Sequence, residues 1–139
     1  EGSHHLQGDR SILRDNNEFL WRESPASFSY DLAADAGPMV VQVRYFTASP
    51  QANPYYVAAA AAGPYTFDIL VDGQKIATQN LADLHPARRE QTITADYPIP
   101  AAVGSGKKSI TVAFRPHSGD NAGRVISVSV LRAGTASSR

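Results

Sequence analysis

The strongest constraint on this chain is a two-residue rhythm of apolar and polar side chains, broken at intervals by turn residues. An extended strand sends successive side chains to opposite faces, so such a rhythm marks strands with one buried face. Phe28-Ser29-Tyr30-Asp31-Leu32 carries it first. Residues 39–46 continue it, with Val41, Val43 and Tyr45 on one face and Gln42 and Arg44 on the other. Residues 65–71 set Phe67, Ile69 and Val71 opposite Thr66 and Asp68. Asp72-Gly73 follows, a pair that accepts positive φ and closes tight hairpins, and residues 74–81, with Ile76, form the return strand. Ile93, Ala95 and Tyr97 alternate over residues 91–97, and Pro98 and Pro100 end that strand. Gly104-Ser105-Gly106 is a turn. Ile110, Val112 and Phe114 share a face over residues 109–115. Ile126, Val128 and Val130 do so in the last strand, against Ser127, Ser129 and Leu131.

A further strand near residues 4–12 brings the total to about eight, with turn signals at roughly 8–12-residue spacing. That pattern predicts an all-β fold, a single antiparallel β-sandwich of jelly-roll type. Helical signal is confined to residues 55–62, where an alanine-rich stretch ends at Gly63-Pro64 and reads either as a short helix or as an irregular loop. A chain of 139 residues makes one domain, with a frayed Gly/Ser/Thr tail over residues 133–139.

Charge and composition exclude several functions. Lys and Arg together number 13, as do Asp and Glu, so the formal net charge is zero. Only three cations are lysines (Lys75, Lys107, Lys108), and the arginines are scattered apart from Arg88-Arg89. No basic footprint for nucleic acid or an anionic membrane results. No apolar run is long enough to span a bilayer as a helix, and no signal-peptide pattern opens the sequence. Cysteine is absent, which removes disulfides, thiolate-ligated zinc and thiol catalysis.

The catalytic motifs fail on inspection. Gly104-Ser105-Gly106-Lys107-Lys108-Ser109 resembles a phosphate-binding loop only superficially, because Ala101 stands where the first glycine belongs and Lys108 where Ser or Thr must follow the lysine. Glycosidases work with paired carboxylates, and the candidates are Glu18, Glu23, Asp31, Asp68, Asp72 and Asp96. Each of Asp31, Asp68 and Asp72 has a sufficient structural role on a polar strand face or in a turn. No metalloprotease, hydrolase-elbow or calcium-loop pattern occurs.

What remains is polar and aromatic residues in three loops. Residues 14–26 hold Phe19, Trp21, Arg22 and Glu23, and Trp21 is the lone tryptophan. A sugar ring packs its C–H face on an aromatic ring while its hydroxyls take polar partners, so an exposed Trp21 beside Arg22 suits a glycan. The competing reading makes Trp21 a plug at one end of the sandwich. Residues 47–64 form a long loop with Asn53, Tyr55 and Tyr56, and loops of that length are usually functional or mobile. Residues 116–123 offer His117, Asp120 and Asn121, with Arg124 just beyond.

Several stretches together resemble one known module. They are Phe28 to Leu32, Thr66-Phe67-Asp68-Ile69-Leu70-Val71-Asp72-Gly73-Gln74-Lys75-Ile76, Asp96-Tyr97-Pro98-Ile99-Pro100, Ile110 through His117, Ala122-Gly123 and Val128-Ser129-Val130-Leu131-Arg132, with His5-Leu6-Gln7-Gly8 near the start. They are similar to the C-terminal β-sandwich accessory domain of bacterial enzymes of the glycoside hydrolase family 127, the β-L-arabinofuranosidase type. In that family catalysis belongs to a separate helical barrel with cysteine-ligated zinc. The resemblance therefore implies a non-catalytic accessory module in a periplasmic or extracellular enzyme acting on plant-type glycans. It implies two partners, a glycan and the parent catalytic domain, and neither nucleic acid nor membrane. No cofactor is expected. A structural calcium held by loop carboxylates and carbonyls would suit such a sandwich, but no ligand ladder marks a site.

Two functions follow. In the first, the module binds carbohydrate through Trp21, Tyr55 or Tyr56 as stacking platforms and Arg22, His117, Asp120 and Asn121 as hydrogen-bonding groups. In the second, the sandwich is purely structural and docks on its parent catalytic domain or a partner subunit through an outer apolar patch formed by Phe46, Leu70 and Leu131.

Overall fold

A computed structural model describes residues 6–8, 11–15, 20–34, 37–46, 65–85 and 91–133. The strands are β1 (Ile12–Asp15), β2 (Leu20–Ser24), β3 (Phe28–Ala33), β4 (Met39–Phe46), β5 (Thr66–Val71), β6 (Gln74–Asn80), β7 (Thr92–Ile99), β8 (Ser109–Pro116) and β9 (Ala122–Arg132). They form a five-stranded sheet in the order β1-β2-β9-β4-β7 and a four-stranded sheet in the order β3-β8-β5-β6. Every pairing is antiparallel. The fold is the all-β jelly-roll sandwich that the alternation predicts. One helical turn, α1 (Ala101–Gly104), precedes β8. No helix among the described residues is long and apolar enough to cross a membrane.

The core lies between the sheets and is built from the alternating positions. Val41, Val43 and Tyr45 of β4 face Phe67, Ile69 and Val71 of β5 and Ile110, Val112 and Phe114 of β8, all buried. Tyr45 brings a hydroxyl into this apolar interior, where an unpaired polar group would be costly. It donates to the Tyr97 hydroxyl at 2.8 Å, and Tyr97 in turn donates to Gln79 Oε1 at 2.8 Å. Burial pushes both phenols up, Tyr97 to about 12, so the relay stays protonated well above neutrality.

The structure departs from the sequence reading at several points, each with a physical reason. Residues 14–26 are not one loop: β1 takes Arg14 and Asp15, and β2 takes Leu20–Ser24 and pairs with β1 and β9. Near residues 4–12 the described part holds only an isolated bridge, Gln7 with Ser29, before β1 begins at Ile12. Pro98 does not end its strand. β7 is an edge strand, where a residue lacking an N–H can face outward without breaking a ladder, and it runs on to Ile99. In β9 a bulge opposite Arg44 and Tyr45 shifts the alternation, so Val125, not Ile126, joins Val128 and Val130 towards the core. The Asp72-Gly73 hairpin is as predicted, with φ of 49° and 84°. The 55–62 stretch lies outside the described residues.

The proposed outer patch also changes. Phe46 is 1% and Leu70 5% exposed, while Leu131 is half-buried. Among the described residues the exposed large aliphatics are instead Ile12, Leu13 and Leu20, on β1 and β2.

Phe67→Ala tests the depth of the core. Phe67 has no exposed surface and touches aromatic rings from both sheets. Truncating it should cost about 3–5 kcal/mol. In urea the midpoint should fall with the slope unchanged; a loss under 1 kcal/mol would mean the site collapses freely.

Candidate functional site

The connections gather at the two ends of the sandwich. β2 ends at Ser24 beside Ala122, the start of β9, and β4 ends at Phe46 opposite Thr92, the start of β7. In the other sheet, β5 begins at Thr66 opposite Asn80, and Phe67 lies opposite Pro116, the end of β8. Short connections at 25–27 and 117–121 join these edges across the sandwich. One end therefore carries the strand ends at Ser24, Phe46, Thr66, Asn80, Thr92, Pro116 and Ala122, with the connections 25–27 and 117–121 between them. His117, Asp120 and Asn121 belong to this end, and Tyr55 and Tyr56 lie outside the described residues.

Trp21 sits at this end but not as an open platform. It is 8% exposed, and its indole lies parallel to the Phe46 ring with centroids 4.2 Å apart. Neither ring belongs to the inter-sheet core, so this is a second apolar cluster, formed between β2 and β4 on either side of β9. The indole Nε1–H donates to Glu23 Oε1 at 2.9 Å, and the Tyr65 hydroxyl donates to Glu23 Oε2 at 3.0 Å. Arg124 completes the knot, with its guanidinium carbon 4.6 Å from the Tyr65 ring centre and Nε 4.0 Å from Glu23. Burial pushes the Tyr65 hydroxyl up, against the opposing pull of Arg124.

The backbone that delivers Arg124 is itself special. Gly123 has φ 131° and Arg124 φ 58°, and a Cβ on Gly123 would lie 2.6 Å from the Arg22 carbonyl oxygen. This close approach bulges β9 against β2 and turns Arg124 inward, where it is 6% exposed.

Arg22 does not join Trp21. Consecutive strand residues face opposite ways, and Arg22 lies opposite the core residue Val125, with its guanidinium donating to Ser11 Oγ at 2.7 Å. Sequence reasoning placed the two side by side because their neighbourhood reads as a loop.

The third loop is anchored by a residue that alternation marked only as polar. Asp68, in the middle of β5 on its outer face, is 7% exposed. Its carboxylate accepts from Thr78 Oγ1 of β6 at 2.7 Å, from an Arg115 terminal nitrogen of β8 at 3.2 Å and from His117 Nε2 at 2.9 Å. The His117 backbone N–H also donates to the Thr66 carbonyl at 3.0 Å, and Asp120 N–H to the His117 carbonyl at 2.9 Å. His117 thus begins the connection clamped to β5 twice, with its side chain 45% exposed, while Asp120 and Asn121 are half-buried.

The other carboxylates have the structural roles expected of them. Asp31 accepts from Thr111 Oγ1 at 2.7 Å, and Asp72 accepts from the Thr111 N–H at 2.8 Å and pairs with Lys107. These two lie at the opposite end, beside an open cleft of about 430 Å³ lined by Asp31, Asp72, Lys108 and Thr111. Among the described residues no group of three or more His, Cys, Asp or Glu is placed to hold a metal ion.

Two predictions follow from the buried indole and the clamped carboxylate. Iodide should quench Trp21 emission weakly and the spectrum should be blue-shifted; a freely quenched, red-shifted indole would mean that it is open to solvent. For Asp68, burial alone would raise the carboxyl, but hydrogen bonds from His117, Thr78 and Arg115 outweigh it and hold the pKa at about 2, below the ordinary 3.8. The stabilisation is present above pH 3.8 and disappears as the pH falls through about 2. Acid titration of stability should show a loss of about 2 kcal/mol in that window that is missing from Asp68→Asn. Parallel profiles for the two proteins would refute it.

Comparison with known proteins places this geometry in context. The family 35 carbohydrate-binding module from Clostridium thermocellum superposes with a TM-score of 0.59 at 12% identity, over 95% of this chain and 94% of that one. An exo-β-1,3-galactanase from Phanerochaete chrysosporium, solved with β-1,3-galactotriose, gives 0.60 at 9% identity over 94% of this chain but only 28% of its own. The plant receptor-like kinase FER gives 0.53 at 11%, over 89% of this chain and 34% of that one. At such identities the likeness is one of fold. Among curated proteins none matches. A family profile matches residues 1–131, almost the whole length, and by that match the chain belongs to DUF6805, a family of unknown function.

Proposed function

We propose that this chain is a non-catalytic carbohydrate-binding module of a bacterial glycoside hydrolase acting on plant-type glycans, the accessory sandwich of a β-L-arabinofuranosidase-type enzyme working in the periplasm or outside the cell. The observation that carries the reading is the convergence at one end of the sandwich. Phe46 and Tyr65, which flank residues 47–64 in the sequence, share that end with the 117–121 connection, where Glu23 and Asp68 fix the surrounding side chains. Binding groups commonly sit on loops held by a rigid scaffold, and this end supplies both. The fold shared with family 35 carbohydrate-binding modules supports the same reading.

The residues take distinct parts. Tyr55 and Tyr56 are the stacking platforms, because the Trp21 ring is covered. His117, Asp120 and Asn121 offer hydrogen bonds to hydroxyls at the rim. Trp21 acts beneath the site, by orienting Glu23, and Arg22 supports the β2 edge rather than touching sugar. A site with so few contacts binds weakly, with Kd on the order of micromolar to millimolar.

A second reading draws on β1 and β2. Ile12, Leu13 and Leu20 are about half exposed on an edge of the five-stranded sheet, which suits a sandwich that docks on its parent catalytic domain.

Isothermal titration with arabino-oligosaccharides and a panel of plant glycans tests the first reading. Saturable binding should weaken roughly 30-fold in Tyr55→Ala/Tyr56→Ala, the loss of about 2 kcal/mol expected of an aromatic anchor. No heat from any glycan with the intact, folded protein would exclude glycan binding and favour docking.

A further inference from the structure

We infer that Asp68 fixes the tautomer of His117, so that this histidine meets a ligand as a hydrogen-bond acceptor through Nδ1. The inference rests on the glycan-binding reading above and specifies the chemistry of one corner of that site. Asp68 is held ionised by its partners, and an ionised carboxylate can only accept. The nitrogen 2.9 Å from its Oδ1 is His117 Nε2, so Nε2 carries the hydrogen. In the neutral imidazole the other nitrogen then has a lone pair and no hydrogen. Nδ1 has no hydrogen-bond partner among the described residues, and the side chain is 45% exposed.

The clamp also limits how the ring turns. Nε2 is tied to β5 through Asp68, and the His117 backbone is tied to β5 through Thr66. Asp68 is itself held from β6 by Thr78 and from β8 by Arg115. Asp68 is therefore a positioning residue and His117 the group that reaches the ligand. A rim that already offers N–H donors gains from Nδ1 the means to accept from a hydroxyl, the donor that every neutral sugar carries. The complementary ligand is a neutral polyol hydroxyl rather than a carboxylate or sulfate, whose oxygens Nδ1 would repel.

The charged groups bearing on the imidazole are Asp68 from β5 and Arg115 from β8, with Asp120 three residues along the connection. Protonating the ring converts Nδ1 into a second donor and removes the acceptor.

Long-range proton–nitrogen NMR of the His117 ring, followed with and without arabino-oligosaccharide, tests both halves. In the free protein the neutral ring should carry its hydrogen on Nε2 with Nδ1 bare, and Asp68→Asn should mix the tautomers. A ring with Nδ1 protonated would overturn the inference and leave the glycan-binding reading standing. In titrations, His117→Gln keeps an amide donor for Asp68 but has no Nδ1, and should weaken binding roughly tenfold, about one hydrogen bond. Unchanged affinity in His117→Gln would also overturn it. No binding by the unmodified protein would overturn the glycan reading itself, whichever tautomer the ring shows.

Discussion

A ladder of four aromatic rings ties the two sheets together beneath the loop end, and much else depends on it. Phe28 of β3 packs on Phe114 of β8 at 5.2 Å, Phe114 meets Phe67 of β5 at 6.1 Å, and Phe67 meets Tyr45 of β4 at 5.9 Å. None of the four is more than 1% exposed. The last contact crosses from one sheet to the other. Tilted and offset ring pairs add about 0.5–1.5 kcal/mol each to what burial alone supplies, and they fix orientation as simple aliphatic packing does not. The ladder reaches the ends of β4 and β8 and the starts of β3 and β5. The strand termini that launch the long connections are thus among the most tightly held parts of the fold.

Above that floor, two irregularities in β9 shape the polar chemistry. A regular strand would send Arg124 outward beside an inward Val125, with the arginine in solvent. The bulge at Gly123 and the positive φ of Arg124 instead bring its guanidinium under Tyr65 and within reach of Glu23. A buried cation needs compensation, and here the carboxylate and the aromatic face supply it. The same carboxylate accepts from Trp21 and Tyr65, so three side chains, from β2, β9 and the residue before β5, are fixed by a single glutamate.

Much of the fold was legible because burial imposes a period of two that needs no knowledge of partners. The span of β4 read directly from Val41, Val43 and Tyr45, and the hairpin from Asp72-Gly73. The phase of β9 was not legible, because a bulge is a property of a strand pair and leaves no mark in one strand's own pattern. Trp21 misled for a related reason. Flanked by Leu20 on one side and Arg22 and Glu23 on the other, it breaks the alternation, since Glu23 shares its side of β2 and is polar because it serves the indole. Asp68 was read as an outward polar residue, which it is. That it gathers Thr78, Arg115 and His117 depends on the register of β5 against β6 and β8, which no single segment encodes. The one available signal was a carboxylate amid Phe67, Ile69, Leu70 and Val71, too apolar a setting for a charge without partners.

The two carboxylates at this end divide the work by their depth. Glu23 is saturated by donors that are themselves buried, so nothing it holds reaches a ligand directly. Asp68 is just as covered, but its donors Arg115 and His117 are each about half exposed. A buried acceptor with exposed donors arranges the surface before anything binds. The ordering entropy of those long side chains is then spent in folding rather than in association, which matters most for a ligand that makes few contacts. For weak, multi-hydroxyl ligands such preorganisation counts for more than any one added contact, which makes the clamp on His117 more consequential than the covered indole that the sequence brings first to notice.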